Sequence, residues 1–69
     1  MNPSRLFKKL RTDAGWTQTQ VATALGFAGK NTVYLKESGR RNVRVRDLLA
    51  LASVTNRELR MTTKGEWTV

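Results

Sequence analysis

The sequence has no cysteine, no histidine, one proline and only 5 acidic residues in 69, and each shortage excludes something. With neither thiol nor imidazole, disulfides cannot staple the chain and a structural zinc ion would lack its usual ligands. Cysteine, serine–histidine and metal-assisted catalysis fail for the same reason. The acids Asp13, Glu37, Asp47, Glu58 and Glu66 are scattered, with no pair at helical spacing to work as acid and base. The expectation is a protein that is not an enzyme and needs no cofactor. No apolar run approaches the roughly 18 residues of a membrane span, and the N-terminal stretch lacks the apolar segment of a secretory signal. A cytoplasmic protein with no membrane partner follows.

A chain of 69 residues has room for one core, and at this size only about 60% of the unfolded surface is buried, which leaves oligomerisation as the remaining staple. Hydrophobic residues make up 39%, with two Trp and two Phe, enough for a compact core. The charge is lopsided: 13 Lys and Arg leave a net +8, the footprint of a polyanion binder.

Along the chain, Asn2-Pro3-Ser4 is a helix start, because Asn or Ser caps free amides and Pro loses no hydrogen bond at a first helical position. Leu6, Phe7 and Leu10 then share one face, and Ala14-Gly15 ends the helix. Thr17 offers a second N-cap, with Trp16 placed to staple onto Val21, and Gly26 closes that helix. After the turn Phe27–Gly29, Lys30 or Asn31 opens a third helix that runs to about Glu37 and stops at Ser38-Gly39. Two helices joined by so short a turn cross steeply, as a helix-turn-helix does. Val45, Leu48, Leu49, Leu51 and Ala52 predict a fourth helix over about Arg44 to Ser53. From Glu58 to Thr63 polar and apolar residues alternate as in a strand. The predicted core is Phe7, Leu10, Trp16, Val21, Leu25, Phe27, Val45, Leu48 and Leu51.

The ordered set Gly15-Trp16-Thr17-Gln18, Val21-Ala22, Leu25-Gly26, Thr32-Val33, Glu37-Ser38-Gly39 and Val45-x-x-Leu48-Leu49-x-Leu51-Ala52 resembles the Cro/Xre, lambda-repressor-like helix-turn-helix family from about Leu6 to Val54. The resemblance implies an all-α fold, a compact bundle of four to five helices, whose third helix enters the major groove of double-stranded DNA. The chain departs from the family in two places. The turn Phe27-Ala28-Gly29-Lys30 is one residue longer than usual, and Lys36 stands where an apolar residue usually precedes the Glu. Either Val33 faces the core with Leu35 partly exposed, or the helix is rotated so that Thr32 and Leu35 face inward.

The chain divides into a helix-turn-helix domain over 1–56 and a C-terminal strand and tail over 57–69. That tail resembles HipB-type antitoxins, in which strands of two subunits pair. A lone alternating strand exposes unpaired amides and carbonyls that a second copy satisfies, so Leu59 and Met61 are expected on a dimer face.

Base edges are readable only at groove depth, so the start of the third helix carries the recognition candidates. Asn31 can bond adenine through two hydrogen bonds, or merely cap the helix. Lys30 can reach guanine or phosphate, and Thr32 or Tyr34 a thymine methyl or a phosphate, Tyr34 also being a packing candidate. The resemblance assigns Gln18 a phosphate or base-proximal contact that also braces the recognition helix. Thr17 and Thr19 stand where helix amides and hydroxyls hold a phosphate, although Thr17 can serve as a cap alone. Lys36, Arg40, Arg41 and Arg44 complete the phosphate candidates, the three arginines lying in the loop that flanks the DNA backbone in this family. Glu37 is expected to neutralise a neighbouring Arg or Lys, since it would repel phosphate. Trp67 reads as tail or as an anchor on a partner.

Together these residues predict a homodimeric transcriptional repressor on a palindromic operator, in particular a HipB-like antitoxin whose partner is a HipA-like kinase toxin. The competing expectations are a toxin-neutralising interaction module for which DNA is secondary, a phage-type repressor, and a non-specific nucleic-acid binder.

Overall fold

The computed structural model describes residues 2–61, 63–65 and 67–68, with the side chains of 61, 67 and 68 outside that set. Four helices follow one another: α1 over Pro3–Asp13, α2 over Gln18–Leu25, α3 over Lys30–Glu37 and α4 over Val45–Val54. Their ends are local chemistry. The Asn2 side chain accepts the Ser4 amide at 2.8 Å, and Pro3 takes the first position, where an amide would have no helical partner. At the other end of α1, Gly15 adopts φ +74° and lets the amides of Gly15 and Trp16 turn back onto the carbonyls of Thr12 and Arg11 at 3.0 and 3.1 Å. Thr17 opens α2 through reciprocal bonds: its hydroxyl accepts the Gln20 amide at 3.1 Å and the Gln20 side chain accepts the Thr17 amide at 2.8 Å.

Each helix contributes one apolar face to a single core of Leu6, Phe7, Leu10, Val21, Ala22, Val33, Leu48, Leu51 and Ala52. Trp16, Leu25, Phe27, Val43 and Leu59 pack against it from the periphery. Burying each large side chain contributes about 1.5–3 kcal/mol. Val33 is fully buried while Thr32 and Leu35 are half-buried, so the third helix takes the register in which Val33 faces the core. Val45 departs from expectation: it is 48% exposed. It is the first residue of α4, and Val43, two residues earlier, packs against the core instead.

The C-terminal segment also differs from the expected strand. Residues 57–59 have no regular structure, and the backbone pairing that exists closes within the chain. It is a two-residue antiparallel ladder of β1, Arg60–Met61, with β2, Trp67–Thr68. Leu59 is half-buried and packs against the core of its own chain. The side chains of Met61 and Trp67 lie outside the described residues.

Candidate nucleic-acid interface

The third helix presents a narrow stripe. At about 100° per residue, Lys30, Asn31, Tyr34 and Ser38 fall on one arc, and all four are exposed. Asn31 lies inside the helix: Gly29 is the N-cap and no side chain closes that end. The capping reading of Asn31 therefore fails, and its amide is free to face a partner. Tyr34 is 48% exposed, so it is a surface residue and not a packing one.

On the opposite arc Lys36 and Glu37 straddle Val33, and each is held by a different part of the molecule. Arg11 of α1 forks onto Glu37, with Nε donating to Oε2 at 2.6 Å and Nη2 to Oε1 at 3.1 Å. Its third nitrogen, Nη1, donates to the Trp16 carbonyl at 2.8 Å. Gln18 of α2 donates to the same Glu37 Oε1 at 3.2 Å, the bracing contact the family resemblance implies. Glu37 thus neutralises a cation, as its charge suggested, and that cation belongs to α1.

Lys36 corrects an expectation. Its ammonium is turned inward, donating to Asp47 Oδ2 and to the Asn42 carbonyl, each at 3.0 Å, and it lies 5.4 Å from the centre of the Phe27 ring. A cation committed to a buried carboxylate is withdrawn from the phosphate candidates, because freeing it would strand Asp47. The Asp47 carboxylate also accepts the Arg44 amide at 2.9 Å, closing the start of α4.

Between these anchors runs the loop with the remaining arginines. Gly39 at φ +82° reverses the chain after α3, and the amides of Arg40 and Arg41 both return to the Leu35 carbonyl, at 3.0 and 3.2 Å. Arg40, Arg41 and Arg44 are exposed. Among the described residues the acids Asp13, Glu37, Asp47 and Glu58 are all engaged in ion pairs, whereas Lys30, Arg40, Arg41 and Arg44 are in none. Outside this region, Glu58 hydrogen-bonds the Arg60 guanidinium and holds its pKa above the ordinary value.

Of the other candidates, Thr17 caps α2 by accepting the Gln20 amide and stays exposed, Thr19 is exposed in the first turn of that helix, and Thr32 is half-buried. Sequence reasoning passed over Arg11, whose partner is 26 residues away and leaves no local signal. It also passed over Lys8, which lines a shallow cavity of about 210 Å³ with Arg11, Gln18, Tyr34, Glu37 and Ser38. Among the described residues no group of three or more potential metal ligands comes together, and no helix is long and apolar enough to cross a membrane.

Residues 4–61 match the family described as a helix-turn-helix domain, well over half of the chain. The protein belongs to the helix-turn-helix domain family. No curated protein and no solved structure matches the chain. Within this helix-turn-helix domain, α2 and α3 are the pair joined by the turn over 26–29, and the exposed stripe lies on the second of them.

Proposed function

We propose that this helix-turn-helix domain is a cytoplasmic transcriptional repressor that binds double-stranded DNA sequence-specifically as a homodimer. One observation carries the reading. The exposed stripe of Lys30, Asn31 and Tyr34 on α3 combines amide, ammonium and phenol groups and continues into a loop whose Arg40, Arg41 and Arg44 have no acidic partner among the described residues. Paired hydrogen-bonding ends read base edges in the major groove, and unpaired cations beside them meet phosphate. Lys30 and Asn31 supply base contacts, Tyr34 and Thr19 flank them, and the arginines supply affinity.

The homodimer follows from dimensions. Eight residues of α3 span about 12 Å, enough for a few base pairs, and a second copy on the next turn, about 34 Å away, makes a palindromic site. Selection from a randomised duplex pool tests the reading: an inverted repeat should emerge, bound at least about 10³-fold more tightly than random duplex. Recovery of no common sequence would sink it and leave a general polyanion binder.

The finer reading, a HipB-like antitoxin that neutralises a HipA-like kinase toxin, rests on the tail resemblance. The intrachain ladder and the packing of Leu59 add nothing to it. The gene neighbourhood decides it: an adjacent kinase-like frame whose product forms a stable complex with this chain on co-expression supports the antitoxin role, and its absence leaves a phage-type repressor.

A further inference from the structure

The repressor reading leaves one part of the structure unused: the pair of Lys36 and Asp47. Both side chains are only 12% exposed. Asp47 is buried. Every hydrogen-bond partner of the pair lies between residues 36 and 47. Lys36 closes the end of α3 onto Asn42, Asp47 holds the Arg44 amide, and the two meet each other, so both sides of the segment from 39 to 44 are tied to one ion pair. That segment carries Arg40, Arg41 and Arg44.

We propose that Lys36 and Asp47 are positioning residues that hold the arginine loop in the shape that meets phosphate. Resting on the DNA reading above, this role makes the pair the device by which the chain sets its phosphate contacts. Arginine side chains are long, and each phosphate contact made by a mobile loop would cost the entropy of ordering that loop. A loop fixed in advance avoids that cost. A hydrophobic residue in place of Lys36 would fill the same space over Phe27 but could hold neither the Asn42 carbonyl nor the Asp47 carboxylate. The arginines themselves stay outside the pair, so their charge remains available.

The test uses the full chain and three variants. Asp47→Asn keeps an oxygen to accept the Arg44 amide while removing the charge. Lys36→Met keeps the stem over Phe27 while removing both hydrogen bonds. The double variant Lys36→Met/Asp47→Asn removes both buried charges together, which protects folding. Each is titrated against a labelled random-sequence duplex of about 30 base pairs, long enough for a dimer, at several salt concentrations. Amide exchange of residues 40–44 is followed in parallel.

In each folded variant the slope of log affinity against log salt should become shallower by about 1–3 per protomer, at about 0.9 for each phosphate that is no longer neutralised. The amides of Arg40 and Arg41, whose acceptor at Leu35 neither substitution touches, should exchange about ten-fold faster or more. A pair that merely supports the fold would lower the melting temperature of the single variants and leave the slope of folded protein unmoved. That outcome, with a parent that binds the duplex, overturns the positioning role alone. A parent chain that does not bind the duplex overturns the DNA reading, and the positioning role with it.

Discussion

Lys36 and Glu37 are consecutive in α3 and are held by opposite sides of the molecule, Lys36 by Asp47 at the start of α4 and Glu37 by Arg11 of α1. Two neighbours of opposite charge, pulled about 100° apart around the helix, fix its rotation about the buried Val33. Only the C-terminal half of α3 is held this way. The N-terminal half, with Lys30 and Asn31, has no side-chain cap and no ion pair among the described residues. The helix is anchored at one end and presented at the other.

Breaking the Glu37 anchor should therefore cost both stability and orientation. Arg11→Met leaves the carboxylate, whose side chain is 5% exposed, with Gln18 as its remaining partner. Removing one member of a buried pair costs about 3–5 kcal/mol, which in a domain this small lowers the melting temperature by upwards of about 10 °C. Glu37→Gln, which retains an acceptor, should cost less. Thermal unfolding followed by circular dichroism ranks the two; equal melting points for Arg11→Met and the parent would show the pair to be idle.

Asn31→Ala separates reading from folding. Because Gly29 and not Asn31 caps α3, the substitution should leave stability within about 0.5 kcal/mol. It should cost about 1–3 kcal/mol on the selected site and almost nothing on random duplex. Competition binding against both duplexes measures the ratio, and a loss shared equally by the two would remove Asn31 from base recognition.

Gly39→Ala tests the turn that launches the arginine loop. An added Cβ would meet the Ser4 hydroxyl at 3.8 Å, an ordinary contact, so space is not the obstacle. The obstacle is the left-handed backbone at φ +82°, which costs a residue with a side chain about 1–2 kcal/mol. Urea denaturation should show that loss for Ala and a smaller one for Asn, which tolerates this conformation better.

How far the sequence carried depended on the range of each interaction. Helix limits were legible because Asn2 with Pro3, Thr17, Gly15, Gly26 and Gly39 act on their own few residues, and these punctuate the structure where expected. Phe7, Leu10, Val21, Leu48 and Leu51 were legible from periodicity and are buried. Lys36 was misread because a lysine in a basic helix ordinarily faces water, and nothing within 11 residues signals that Asp47 will receive it. Alternation in the tail could suggest an extended segment but could not say which backbone would pair with it.

The three loop arginines predict a steep response to salt. If a dimer neutralises 6–10 phosphates, affinity should fall by roughly three to five decades between 50 and 200 mM salt. Arg41→Ala should weaken selected and random duplex alike and reduce the slope by about 1 for each protomer, since it removes a phosphate contact and no base contact. Fluorescence anisotropy across a salt series gives both numbers, and a flat response would exclude an interface built on phosphate.

Leu59 separates fold from assembly. It packs against the core of its own chain, so Leu59→Ala should destabilise each protomer. The cost should be about 1–2 kcal/mol, below the 2–5 typical of a fully buried leucine because the side chain is only half-buried. A residue with that role changes the unfolding midpoint by the same amount at every protein concentration, whereas an interface residue makes the midpoint fall more steeply on dilution. For the proposed dimer, sedimentation equilibrium of folded Leu59→Ala should accordingly return a dissociation constant within about three-fold of the parent, a difference under about 0.7 kcal/mol. Dissociation weakened by about ten-fold or more, with the protomer still folded, would put Leu59 back in the contact between copies and restore the tail as the dimer surface.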